Sequence, residues 1–263
     1  MISDDYRRHI MRIAVLASAG KDSTYAAWWA HMQGWEVCAL VTVWVTGKDS
    51  MMFQLPETPL AGLQAAASGV AWLPVISDGC EDNEIDDLEA ALAGRSDPQV
   101  AYDVIRAQNP HIEFPDTLEL LDPPLQIDAL VVGAIRSDYQ KTRIERLCER
   151  LGIISYCPLW HHSSDEHMTS LIEHGFDVRI VSVSADGLDS QWLGISLNED
   201  RLTALREAAE SHRFNLDGEG GEFETIVLAA PHLSRRIVTE GETHWRGSRG
   251  TWKLTSARLE SLR

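Results

Sequence analysis

No apolar stretch of this chain approaches the roughly 20 residues that cross a bilayer. Ile13 to Ala17 follows Arg7, Arg8 and Arg12 in the manner of a leader peptide, but Lys21 and Asp22 interrupt it too early. No membrane is expected as a partner, and the chain reads as cytoplasmic. Basic residues are also scarce: 23 Lys and Arg face 40 Asp and Glu, a formal net charge of −17. Gripping a phosphate backbone takes a basic stripe that releases counterions, and the sequence holds no such cluster, so nucleic acid is not an expected partner. Cysteine is limited to Cys38, Cys80, Cys148 and Cys157, with no CxxC pair. Thiols so scattered argue against a disulfide framework, a zinc knuckle and a sulfur-transfer role. His161, His162 and His167 lack companions at ligand spacing and read as a polar loop and helix start. The seven carboxylic residues between Asp78 and Glu89 read as a solvated helix face.

What is present is an alternation of strands and helices over 263 residues, enough chain to bury a large core as one domain or two. Arg12 to Ala17 reads as a buried strand that stops at Ser18-Ala19-Gly20-Lys21-Asp22-Ser23. Tyr25, Trp28, Trp29 and Met32 then fall at i, i+3, i+4 and i+7, which predicts a helix with that apolar face, closed by Gly34. Further strands are expected at 36–45, 71–76, 129–132 and 178–183, and helices at 59–67, 83–92, from Ser137 to Leu151, and 200–211. Such alternation implies a parallel sheet wrapped on both faces, followed by a smaller C-terminal α/β region. Residues 94–126, with Pro98, Pro110, Pro115, Pro123 and Pro124, read as an irregular insertion holding one short helix. The expected organisation is a nucleotide-binding domain over 1–132 and a substrate-binding domain over 133–263. Three short strands are expected in the tail, with a hairpin turn at Gly247-Ser248-Arg249-Gly250.

Three motifs carry chemistry. Residues 18–23 lie where a strand gives way to a helix, so free backbone amides and the positive helix end converge on an anion. The loop is not a Walker A motif, since Val15 stands where the first glycine belongs and Asp22 follows Lys21. A loop this short suits a compact pyrophosphate. Ala19 is expected to keep a negative φ, and Lys21 to sit on the loop surface. The second motif, Gly133 to Gln140, again joins a strand to a helix, with Ser137 and Gln140 as a capping box and Cys157-Pro158-Leu159-Trp160 downstream. In a parallel sheet its end opens beside the first loop, so Asp138 and Tyr139 can face the same crevice. The third, Gly218 to Thr225, crowds Glu219, Glu222 and Glu224 into six residues, which costs repulsion unless a cation binds there.

The loop resembles the SGGKDS loop of the PP-loop ATP pyrophosphatases, with Ala19 at a position usually held by Gly. With the other two motifs, Ala185-Asp186-Gly187-Leu188 and Trp192-Leu193-Gly194, the chain resembles the diphthine-ammonia ligase family from Arg12 to about Leu259. The stretch 94–126 is longer than that family usually has. The resemblance implies an ATP-dependent amidation of diphthine, a modified histidine on translation elongation factor 2, releasing AMP and pyrophosphate. ATP would lie on Ser18, Ala19, Gly20, Lys21, Asp22, Ser23, Thr24 and Gly133. Lys21 would stabilise the leaving group, Asp22 would hold magnesium, and Asp138 would take a proton from ammonium, the expected nitrogen source in a chain with no length for a glutaminase. Tyr139, Trp160, Glu219, Glu222 and Glu224 are the expected binders of the diphthine trimethylammonium group, in a half separate from the nucleotide loop. Two alternatives stay open: a PP-loop RNA-modifying enzyme, and a nucleotide sensor that retains ATP uncut.

Overall fold

The computed structural model of this chain describes residues 10–47, 52–53, 57–122 and 124–261. The first sheet is fully parallel and is built from β1 (Arg12–Leu16), β2 (Glu36–Val45), β3 (Ala71–Ser77), β5 (Ala129–Val132) and β6 (Ile154–Tyr156), in the order β3-β2-β1-β5-β6. From β1 the chain winds outward to β2 and β3, then returns to lay β5 on the other side of β1. That reversal makes a crevice at the carboxyl ends of β1 and β5, where ligands of open α/β sheets bind. Helices α1 (Lys21–Met32), α2 (Leu60–Ser68), α3 (Glu81–Leu92) and α5 (Asp138–Leu151) supply the crossovers.

The second sheet runs β4-β10-β7-β8, with β9 on β10: β4 (Ile112–Glu113), β7 (Asp177–Val183), β8 (Phe223–Ala229), β9 (Ile237–Arg246) and β10 (Arg249–Leu259). It carries α6 (Ser164–Glu173) and α7 (Glu199–His212), and the remaining helix α4 (Pro98–Gln108) precedes β4. One continuous apolar cluster joins the two sheets, from Ile13, Val15 and Ala26 to Ile180, Phe223 and Ile226. A second lies under α3 and α5, around Leu73, Leu88, Leu130 and Leu147.

The structure departs from the sequence reading in four places. The face of α1 set deepest is Ala26, Ala27 and Ala30, while Met32 is 64% exposed. Small side chains let the helix approach the sheet closely, and the aromatics turn sideways instead. Tyr25 and Trp28 pack on Phe176 at centroid distances of 5.9 and 5.7 Å. Pro98 does not break structure but starts α4 at its first position, where no amide is missed, behind an Asp97 cap that accepts from the Gln99 amide at 2.9 Å. Residues 94–126 are accordingly an ordered flank over their described part: Tyr102 and Phe114 pack on Trp72, and Leu120 bridges to Trp72 beside β3. Glu84, in the acidic run, is buried rather than solvated. Finally, β5, α5 and β6 all stay with the first sheet, so the passage between sheets follows Tyr156 rather than falling at 132/133.

Candidate active site at the switch point

The crevice opens into a cleft of about 400 Å³. Its floor is Leu16, Ala17 and Val132 at the strand ends, with Val43, Met52 and Phe53 on one side. The loop residues Ser18, Lys21, Asp22 and Ser23 form one wall, Gly133, Ala134, Ser137 and Gln140 a second, and Gly218, Glu219, Gly221, Phe223, Glu224 and Thr225 a third. The three motifs therefore meet at one place. Close approach explains Gly133, since a Cβ there would lie 2.7 Å from the carbonyl carbon of Asp22.

The loop is held from the second sheet. The Lys21 amide donates to Thr225 Oγ1 at 3.2 Å, and the Val227 amide donates to the Ala19 carbonyl at 2.8 Å. Buried Gln64 donates through Nε2 to the Val227 carbonyl at 2.9 Å and to Thr24 Oγ1 at 3.2 Å. Thr24 is thus a support under the loop. Ser23 Oγ accepts from the Ser18 amide at 3.1 Å and donates to the Gly20 carbonyl at 3.2 Å, closing the turn. Gly20 caps α1 in an extended conformation, and with the Lys21 amide bound to Thr225 the amides of Asp22 and Ser23 are the two that precede the first intrahelical bond, Thr24 to Gly20.

Ala19 takes φ +61, in the left-handed region, against the expected negative φ. Two carbonyls and a capping residue fix the path, and the turn demands that conformation whatever the side chain. Lys21 is likewise not a surface residue, being 5% exposed, with Nζ 2.8 Å from Asp22 Oδ2 and 6.0 Å above the Phe223 ring. Burial acts to lower its pKa, but the charges of Asp22, Asp217 and Glu219 outweigh burial and raise it. For Asp22, burial acts upward, and Lys21 and His167 together bring the carboxyl below its ordinary value. Asp22 Oδ1 accepts from His167 Nε2 at 2.8 Å, so each carboxylate oxygen has a partner.

An ion pair between half-buried Arg136 and buried Asp217 ties the second motif to the start of the third. Arg136 donates to Asp217 Oδ2 at 2.7 Å and to Ser164 Oγ at 2.6 Å, and its amide donates to Glu219 Oε1 at 3.2 Å. Burial pushes Asp217 up, but the bonds from Ser164 and Arg136 more than reverse it. At Glu219 and Glu224 the compensation falls short, coming from the Arg136 amide and Lys21 at the first and from Lys21 at the second. Burial raises both, and Asp22 adds its repulsion, so that Glu224 reaches about 7 despite Lys21 nearby. A cation in the cleft would favour the ionised form of both.

Other expected site residues stand away from the cleft. Asp138 is exposed on the first turn of α5. The Tyr139 ring is covered by the Arg143 guanidinium at 4.0 Å, and Trp160 by Lys141 Nζ at 5.1 Å. Glu222, half-buried and not among the cleft residues, accepts through Oε1 from Asn215 N and Nδ2, both at 2.9 Å. The capping box of α5 is half made: Ser137 accepts from the Gln140 amide, but the Gln140 side chain donates to the Met52 carbonyl at 3.0 Å. Sequence reasoning missed His167, Arg136, Asp217, Gln64 and Met52, whose roles depend on partners between 28 and 163 residues away. The thiols stay outside the cleft, and burial pushes Cys148 up to about 12. Among the described residues, no helix is long and apolar enough to cross a membrane.

A relative from Schizosaccharomyces pombe named diphthine--ammonia ligase is 31% identical over 235 residues, which are 87% of this chain and 36% of the relative. Proteins of the same name from Rattus norvegicus and Homo sapiens are 29% and 28% identical, covering 88% of this chain and 83% of their own. The chain thus spans about a third of the yeast relative and most of the mammalian ones. A crystal structure of a predicted subunit of tRNA methyltransferase from Methanocaldococcus jannaschii aligns over 84% of this chain and 98% of its own, with 17% identity and a TM-score of 0.39. The family model of the diphthamide synthase N-terminal domain matches residues 11–109 and 104–155, and that of the C-terminal domain matches 163–259. By these matches, which take in nearly the whole chain, the protein belongs to the diphthamide synthase family.

Proposed function

We propose that this protein is an ATP-dependent diphthine–ammonia ligase. One observation supports the reading above others: the loop after β1, with its buried Lys21, and the carboxylates Glu219 and Glu224 from the C-terminal half share one cleft. The substrate carboxylate attacks the α-phosphate of ATP, and pyrophosphate leaves. Ammonia then displaces AMP from the acyl-adenylate, giving the amide. The substrate is the diphthine side chain of translation elongation factor 2, the nitrogen source is ammonium, and the setting is the cytoplasm.

Lys21 and the first-turn amides of α1 stabilise charge as pyrophosphate departs. Leu16, Val43, Val132 and Phe53 provide the apolar side of the cleft on which a nucleotide base packs. Ammonium must lose a proton before it attacks. Asp138 is too exposed for that task in a closed site, and Glu224, ionising near 7 inside the cleft, is the better acceptor. The trimethylammonium group meets Glu219 and Glu224, since Tyr139 and Trp160 already carry cations of this chain and Glu222 serves the turn.

Magnesium fits the donor set. The described residues form no cluster of three metal-binding side chains, and magnesium needs none, taking one or two carboxylates together with phosphate oxygens and water. Asp22 is the carboxylate beside the loop, and Glu219 and Glu224 face it across the cleft. Bound there, the ion would neutralise phosphate charge.

The test is incubation of the chain with diphthine-bearing elongation factor 2, ATP and ammonium. The factor should change in mass by conversion of carboxylate to amide, with AMP and pyrophosphate in equal amounts. ADP as product, or ATP retained uncut, would place the chain in another class. Lys21→Met, which keeps the buried stem, is expected to lower AMP formation about 10²- to 10³-fold, as loss of an oxyanion donor does.

A further inference from the structure

We infer that His167 is a positioning residue that sets the nucleotide loop through Asp22, so that the loop is completed only by the second half of the chain. The inference rests on the ATP-binding part of the proposed function, not on the identity of the acceptor.

His167 lies on α6 and is 1% exposed, on the far side of Asp22 from Lys21. Its Nε2 is 2.8 Å from Asp22 Oδ1, while its Nδ1 is buried and has no hydrogen-bond partner among the described residues. A carboxylate oxygen can only accept, so Nε2 carries the proton. The ring is held in that direction by the edge of Tyr25 at 5.0 Å, and Tyr25 is tied to α6 by its hydroxyl, 3.1 Å from Ser170 Oγ. His162 closes the other side with its ring at 6.5 Å.

The consequence concerns Lys21. A lone Lys21–Asp22 pair, adjacent in sequence, could close on itself in several side-chain geometries. Fixing one carboxylate oxygen to a rigid buried ring leaves the other oxygen one place to be, and so places Nζ at the mouth of the loop. A buried donor on a carboxylate has no other evident purpose here, since His167 does not line the cleft. A core position at the same site would need only an apolar side chain.

The test uses the full chain with His167→Leu, which keeps apolar volume, and His167→Gln, which keeps a donor. Affinity for a non-hydrolysable ATP analogue is measured by calorimetry, and AMP formation gives kcat and KM for ATP. We expect Leu to weaken analogue binding at least fivefold and to lower kcat at least tenfold, and Gln to recover most of both. Combination with Asp22→Asn should cost little more than Asp22→Asn alone, because both changes break one link. A Leu variant that folds and keeps wild-type affinity and kcat overturns the inference. If Leu does not fold, a Gln variant that itself loses analogue affinity at least fivefold and kcat at least tenfold, with effects fully additive to those of Asp22→Asn, would overturn it too. Wild-type binding of the analogue without amidation of the factor would sink the acceptor assignment and leave this inference standing.

Discussion

At the scale of single residues, the loop shows how a fixed backbone path constrains side chains. Ala19 holds φ +61 and is fully buried. The left-handed region costs a non-glycine residue about 1–2 kcal/mol. Replacement by glycine recovers that, but loses about 0.8 kcal/mol of buried methyl and about 0.4–1 kcal/mol through the freer unfolded chain. Ala19→Gly is therefore expected to be neutral to within about 1 kcal/mol, whereas Ala19→Val, branched and overpacked, should destabilise by at least about 2 kcal/mol. Urea unfolding of both variants checks this. Glu224 gives a pH signature. It ionises at about 7 in the folded chain against an ordinary 4.5, so between those values the folded state holds a proton that the unfolded chain has released. Its contribution to stability thus falls as pH rises through that window, by about 3 kcal/mol at most. Glu224→Gln should be more stable than wild type at pH 8 and equal to it near pH 4, while losing amidation. Denaturant midpoints at the two pH values measure the difference, and a constant offset would refute the assignment.

At the scale of elements, what was legible depended on whether the signal was local. The strand–loop–helix units of β1–α1 and β5–α5 were readable because β-branched runs, caps and helical periodicity are all properties of neighbouring residues. The buried face of α1 was not, because Ala26, Ala27 and Ala30 give a weak hydrophobic signal yet permit the closest packing on the sheet. Prolines misled in the same way. Pro98 looks like a breaker in isolation, and becomes a helix start once Asp97 caps it. The hairpin turn was placed correctly at Gly247, where φ is +63, but β9 and β10 run 10 and 11 residues rather than a few. Cross-strand pairing, not local composition, extends them.

At the scale of the whole molecule, both halves of the chain furnish side chains to one cleft. The Thr225 hydroxyl, the Val227 amide and Gln64 stitch the loop to β8, and Glu219 and Glu224 reach the same cleft as Lys21. Glu219→Gln is accordingly expected to change affinity for ATP and for the protein substrate together, and Glu222→Gln, which still accepts from Asn215, to change each less than twofold. Separate titrations of the two ligands test this, and a Glu219 variant altered for the factor alone would restore the division between halves. The sequence by itself determined the chemistry on offer: the loop, the acidic turn and the family, each written in adjacent residues. Only the tertiary structure decided which of those groups meet. It turned Glu222, Tyr139 and Trp160 toward partners of their own, buried Lys21, and brought His167 against Asp22 from 145 residues away, because contacts across a chain reversal are fixed by packing and leave no pattern in local spacing.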